Sequence, residues 1–423
     1  VGKERNKMCE VHRRARRMLA WISTAFLAVT VVGCSSQPEV IMVTATPAPT
    51  ATPAPPPTVT VCESGCDFET IQAAIDDVAT SAGSTIHITA ASHTEADINV
   101  TKDVTIRGQG AEETVVQAHE SVSDATGRVF LIAEGVTVEI SDMTIRHGHP
   151  DLEPQITGVG RTGGGIANLG SLTLESCIIR DNIASAGAGI VTRGDLVINS
   201  CSILHNYANG IDRPGRDCSS GAGIRAVSGT VHITNSTISG NNSAGPGGSG
   251  GGMHVGCANS TVIRNSTISG NTASTVGGGL HVRGEVELVH TTVFNNSAEG
   301  IRRGGEIVAD SGGGIHCRGI LHYTNSIVAG NPKGGDCVIA EDGAIETNSG
   351  NLVEDGSCDA AYSGDPLLDE LTGSYIANIH PLQAESPALD AVAPSDCILE
   401  IDQRSVSRPQ GAGCDIGAFE LEQ

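Results

Sequence analysis

Between Gly163 and Asn331 apolar and polar positions alternate in short bursts: Leu172 and Leu174, Leu196 and Ile198, Val231 and Ile233, Val286 and Leu288. Alternation at period two marks a strand with one buried face. The bursts sit inside a longer unit that opens on a glycine corner and closes on Asn. It reads GGGIANLGSLTLESCIIRDN from Gly163 and GAGIVTRGDLVINSCSILHN from Gly187, and returns from Gly221, Gly250, Gly277 and Gly312. About three short strands fit in each copy. The 24-residue step from Gly163 to Gly187 leaves no room for a strand–helix–strand crossover. One copy cannot bury its own apolar face, so the copies must stack, each strand pairing in parallel with its counterpart one turn on. The pattern predicts an all-β parallel β-helix solenoid.

In that register Asn182, Asn206, Asn241, Asn271, Asn296 and Asn331 form one column, and Ser176, Ser200, Asn235, Asn265, His290 and Asn325 another. Stacked side-chain amides at turns can bond one another and satisfy buried turn backbone. The glycine runs suit tight corners. Gly245 to Gly252 is no phosphate cradle, because no helix follows it.

Upstream, the basic run Arg13, Arg14, Arg16 and Arg17 precedes an apolar stretch from Met18 to Val32. Residues 1–33 therefore read as a signal peptide, too short for a lasting membrane span. The ending Val31-Val32-Gly33-Cys34 resembles a bacterial lipobox, which implies lipidation at Cys34. Residues 34–59, with the run ATPAPTATPAPPP, read as a Pro/Thr-rich spacer. The folded part is expected at 60–340, opening with a helix N-capped by Asp67 and carrying Phe68, Ile71, Ile75 and Val78 on one face. The run CDFETIQAAIDDV, with STIHI and KDVTIRGQG, resembles the N-terminal cap of pectate-lyase-like right-handed parallel β-helix proteins. There the helix plugs the open end of the solenoid. The six copies are also similar to the repeats of polymorphic outer-membrane proteins.

Residues 341–423 read as a C-terminal cap. SPALDAV from Ser386 and DQRSVSRPQGAGCDIGAFE from Asp402 closely resemble the choice-of-anchor Q region of bacterial surface proteins, with Ser405 where glycine is usual. That resemblance implies an exported β-helix protein and no settled activity. Cys62 with Cys66 and Cys397 with Cys414 are disulfide candidates on proximity. Cys177 and Cys201 share an inward column and either bridge or stack.

The formal charge is −23; without residues 1–33, which hold seven Lys and Arg and two Asp and Glu, 18 basic and 46 acidic residues leave −28. So acidic a chain is an unlikely partner for nucleic acid. Against this background the strand after each glycine corner places Arg193, Arg225, His254, His281, Arg283, His316 and Arg318 on the outer face. At about 4.8 Å per coil they would form an exposed basic stripe roughly five coils long. Such a stripe suits an anionic polysaccharide, whose carboxylates meet Arg in bidentate pairs. In a lyase, His281, Arg283, His316 and Arg318 would neutralise a uronate and remove the adjacent proton in β-elimination. The plainer reading of the stripe is a solvated strand face. His254, His281 and His316 do not converge on a metal ion easily, and the HGHPD loop from His147 reads as polar surface. No motif requires a cofactor. Asp365, Asp369, Asp396 and Asp402 could take calcium, although their spacing matches no EF-hand loop. The resulting expectation is a lipid-anchored, envelope-exposed protein that binds a surface or extracellular polysaccharide, adhesin-like. A polyuronate lyase and a purely structural surface protein are the alternatives.

Overall fold

The computed structural model describes residues 56–150, 160–210, 220–303, 306–309, 311–374 and 377–422. The expected signal peptide, lipidated Cys34 and most of the spacer lie outside these residues. Each coil carries three principal strands, as Ile166–Asn168, Ser171–Glu175 and Ile178–Arg180 do, and each pairs in parallel with its counterpart on the next coil. In Ile224–Thr234 and Met253–Arg264 the first two strands run together, which merges their ladders into an 18-stranded sheet. The third strands build a second sheet of ten. A two-residue fourth strand, from Ile183–Ala184 to Ser297–Ala298, adds a ladder that the apolar pattern is too short to reveal. Parallel crossovers of this kind wind right-handed. The architecture is an all-β, right-handed parallel β-helix.

Inward residues stack on themselves: Ile166 over Ile190, Leu172 over Leu196, Leu174 over Ile198, Ile179 over Ile203, all in one core. The closing asparagines form the expected ladder. Asn182 Nδ2 donates to Asn206 Oδ1 at 3.0 Å, Asn206 to Asn241 at 2.9 Å, Asn241 to Asn271 at 3.0 Å and Asn271 to Asn296 at 2.9 Å. Each amide oxygen also accepts the backbone N–H of the preceding asparagine, so the ladder satisfies buried turn backbone.

The other expected column behaves differently. Ser176, Ser200, Asn235, Asn265, His290 and Asn325 take φ between 43° and 52°, turning the chain in the left-handed region where Asn is tolerated. The side-chain ladder belongs to the next residue. Cys177 N donates to Cys201 Sγ (3.3 Å), Cys201 N to Ser236 Oγ (3.1 Å) and Ser236 N to Ser266 Oγ (3.1 Å). Cys177 and Cys201 are therefore stacked and free, not bridged. Sulfur here does what serine oxygen does in later coils. Cys62–Cys66 and Cys397–Cys414 are disulfides as expected; Cys337–Cys358 is a third that proximity in sequence did not suggest. Cys257 is also disulfide-bonded.

The first strand, Thr58–Val61, begins just ahead of residue 60. The N-terminal helix spans Ile71–Asp76 and lies on the first coil, burying Ile71, Ala74 and Ile75. Its cap is Thr70, whose Oγ1 accepts from Ala73 N at 3.1 Å. The Glu95 carboxylate accepts from Ile71 N and Gln72 N at 2.8 and 3.0 Å. Asp67, expected as the cap, instead accepts from Thr60 N and Oγ1. Val78 is 96% exposed, because the chain turns extended at Asp77 and leaves the helical face.

At the far end coiling continues past residue 340. Cys337–Ile339, Ala344–Ser349 and Leu352–Val353 pair with the coil before them, although the repeat in the sequence has faded. Backbone pairing tolerates that loss. The following turn covers the last coil, tied by Cys337–Cys358 and by the Tyr323 hydroxyl donating to Cys358 O.

The remaining residues run back along the outside of the second sheet. His380 Nε2 lies 2.7 Å from Ser269 Oγ, Gln403 bridges Thr267 and Thr237, and Ala418 N donates to Thr292 Oγ1. Ile379, Leu382, Val392, Ile416 and Phe419 form a second core with Ile327 and Leu352. The charged residues of the DQRSVSRPQGAGCDIGAFE run are structural. Arg408 and Glu420 make a fully buried 2.8 Å pair, of the kind that is costly to break. Arg404 sits over the Phe419 ring and bonds Asp402. Ser405 has φ 74°, in the left-handed region that favours glycine.

Candidate functional site

The outer face of the first strand column changes character along the solenoid. In register it presents Leu131, Ala167 and Val191, then Arg225, His254, His281 and His316, then Val338. The early members form a small apolar cluster of their own. The later four form a basic column. Arg193 is not in it: the register puts Val191 beside Arg225, and Arg193 lies in the turn two residues on, exposed to solvent. Arg283 and Arg318 occupy that same turn position in later coils, both half-buried. The stripe is thus two parallel rows, one mainly of imidazoles and one of guanidiniums.

The three histidines are buried, not exposed, at 5%, 6% and 7% accessibility. Alternation establishes that they leave the core; it cannot say what covers the other side of the sheet. Their rings pack edge to face, with centroids 4.8 Å apart for His254 and His281 and 5.3 Å for His281 and His316. The glycine corner closes in from one side. A Cβ on Gly277, whose φ is +64°, would stand 2.9 Å from His281 Cα. Ser249 Oγ lies 3.2 Å from His254 Nδ1. Both His281 ring nitrogens, and Nδ1 of His316, are buried without a hydrogen-bond partner.

Burial, and then the neighbouring Arg225 and Arg283, hold the His254 pKa well below its ordinary value. His281 is lowered in the same way by burial, by the two flanking histidines and by Arg283 and Arg318. His316 is pulled down to about 4 by burial and Arg318, against the opposing pull of Asp342. All three imidazoles are neutral at pH 7, able to donate or accept a hydrogen bond. Arg318 makes a bidentate pair with Asp342, 3.0 Å on each arm. An incoming carboxylate would compete with it. Asp342 was not visible as a site residue, since it lies in the region where the repeat fades.

Among the described residues no three His, Cys, Asp or Glu side chains converge on a point where a metal ion could sit. Asp402 is fully buried and accepts from Arg404 N, Val406 N and Glu420 N. Asp365 and Asp369 accept from Leu367 N and Gln383 Nε2. His147, in the HGHPD loop, faces His119 O at 3.0 Å, and Asp151 of that loop lies outside the described residues. No helix among the described residues is long and apolar enough to cross a membrane.

No family model and no curated protein matches this chain. Among solved structures it is similar to pectate lyase Pel9A, with 12% identity over 86% of this chain and 96% of that one, at a TM-score of 0.44. It is similar also to the pectin methylesterase of Aspergillus niger (14%, 78% and 95%, TM-score 0.39). A third is pectin methylesterase PemA of Erwinia chrysanthemi (13%, 68% and 92%, TM-score 0.34).

Proposed function

We propose that the protein binds an acidic polysaccharide along the paired rows of Arg225, His254, His281 and His316 and of Arg193, Arg283 and Arg318, without converting it. The observation that carries this reading is His281, a buried neutral imidazole with both nitrogens unpartnered, set between two other imidazoles and beside arginines. Buried polar groups normally have partners, and a ligand hydroxyl is one that this group lacks. The flanking guanidiniums supply charge for carboxylates. We further infer that the chain is exported and lipid-anchored at Cys34. The lipobox-like residues, the spacer, the choice-of-anchor Q-like run and the disulfides support that inference.

The test is isothermal titration of the full chain with polygalacturonate and alginate at low and high salt. Arg283→Ala should weaken binding about tenfold and flatten its salt dependence. Unchanged affinity would sink the assignment and leave a structural surface protein. A second reading, β-elimination with neutral His281 as base and Arg283 on the carboxylate, rests on the same pair. The ultraviolet absorbance of unsaturated sugar ends, lost in His281→Ala, would establish it.

A further inference from the structure

The second sheet carries a different basic feature. Its outward row reads, in register, Thr94, Gln117, Arg146, Arg180 and Leu204. From Thr237 onward the outer face of this sheet is engaged by the C-terminal region. Arg146 and Arg180 precede that engagement and stay half-exposed. Strand spacing puts their Cα atoms about 4.8 Å apart. Arg146 Nε donates to the neutral Gln117 Oε1 at 2.9 Å. Among the described residues Arg180 reaches only Asp181, at 3.4 Å, with both side chains 38% exposed. Two guanidiniums thus share one loosely held carboxylate, and the charge of Arg180 adds to burial in lowering the Arg146 pKa. On the next coil Tyr207, 41% exposed, stands in the adjoining fourth ladder.

We propose that Arg146 and Arg180 form a second carbohydrate site, in which the carboxylate of a uronic acid residue bridges the two guanidiniums and the sugar ring lies on Tyr207. The guanidinium fork matches a planar carboxylate, and an amphipathic aromatic face suits a sugar ring better than a bare inorganic anion. The site is on another sheet from the imidazole column and does not depend on it.

The experiment titrates a galacturonate trimer into the full chain carrying His281→Leu, so that the first site does not contribute. Arg180→Gln should weaken binding roughly tenfold. Asp181→Asn should tighten it severalfold, because it removes the competing carboxylate at a position of φ 54° that Asn tolerates. A gain in affinity cannot arise from a misfolded variant. If Arg180→Gln leaves affinity unchanged, or Asp181→Asn fails to raise it, the site is not there. If inorganic sulfate or phosphate competes as well as the trimer does, the site takes free anions and the sugar assignment is overturned.

Discussion

Two columns of repeated polar side chains run through this solenoid at the same spacing, with opposite outcomes. In the asparagine ladder every amide finds a donor and an acceptor one coil away, and the column is buried and satisfied. In the histidine column the rings meet edge to face and His281 bonds nothing. The difference is geometric. A planar amide carries its donor and acceptor side by side, so translation by one strand brings oxygen to nitrogen. An imidazole carries its nitrogens around a ring, and the same translation brings edge to face. Stacking by itself is therefore no sign of a site; stacking that leaves buried polar atoms unpaired is a reason to look for a ligand.

The largest effect should come from the satisfied column. Asn241→Ala removes the acceptor for Asn206 N and Nδ2 and the donor to Asn271 Oδ1 and Ile203 O. It should cost about 3–5 kcal/mol in denaturant unfolding. A loss under about 1 kcal/mol would show that the ladder is decorative, by the scale expected for buried unsatisfied groups.

The next effect is acid sensitivity. The pKa of His316 is about 4 in the fold against about 6.5 unfolded. Between those values the unfolded chain binds more protons, so stability present above pH 6.5 falls as pH drops toward 4. Relative to wild type, His316→Leu should remove up to about 1.4 kcal/mol per pH unit of that slope. Parallel unfolding curves for the two proteins across this window would contradict the burial.

His281→Leu should be within about 1 kcal/mol of wild type at pH 7, or more stable, since it replaces an unpaired polar group by an apolar one. The same change should abolish polyuronate binding at the imidazole column. A large loss of stability would mean that the imidazole is structural and would break the contrast. Smallest of all, Arg193→Ala at its exposed turn should alter stability by less than about 0.5 kcal/mol. Its effect on binding, read from the salt dependence, should be well below that of Arg283→Ala.

Much of this molecule was legible because a repeat displays its own register. Aligning six copies put the closing asparagines in one column, and that column is the ladder. Proximity found Cys62–Cys66 and Cys397–Cys414. The contacts that went unread share another character. Cys337–Cys358, the docking of His380 on Ser269 and of Gln403 on Thr267, and the Arg318–Asp342 pair all involve non-repeat sequence, where no column exists to align.

By itself the sequence determined what is periodic and local: coils, inward faces, turns and the chemical identity of each column. Backbone pairing and alternate side-chain direction follow from a few consecutive residues, so they can be read from them. Only the tertiary structure decided burial on the outer face, which imidazole lacks a partner, and where the C-terminal residues come to rest. Those depend on segments far apart in the chain approaching one another, and alternation names the side of a sheet without naming what lies against it.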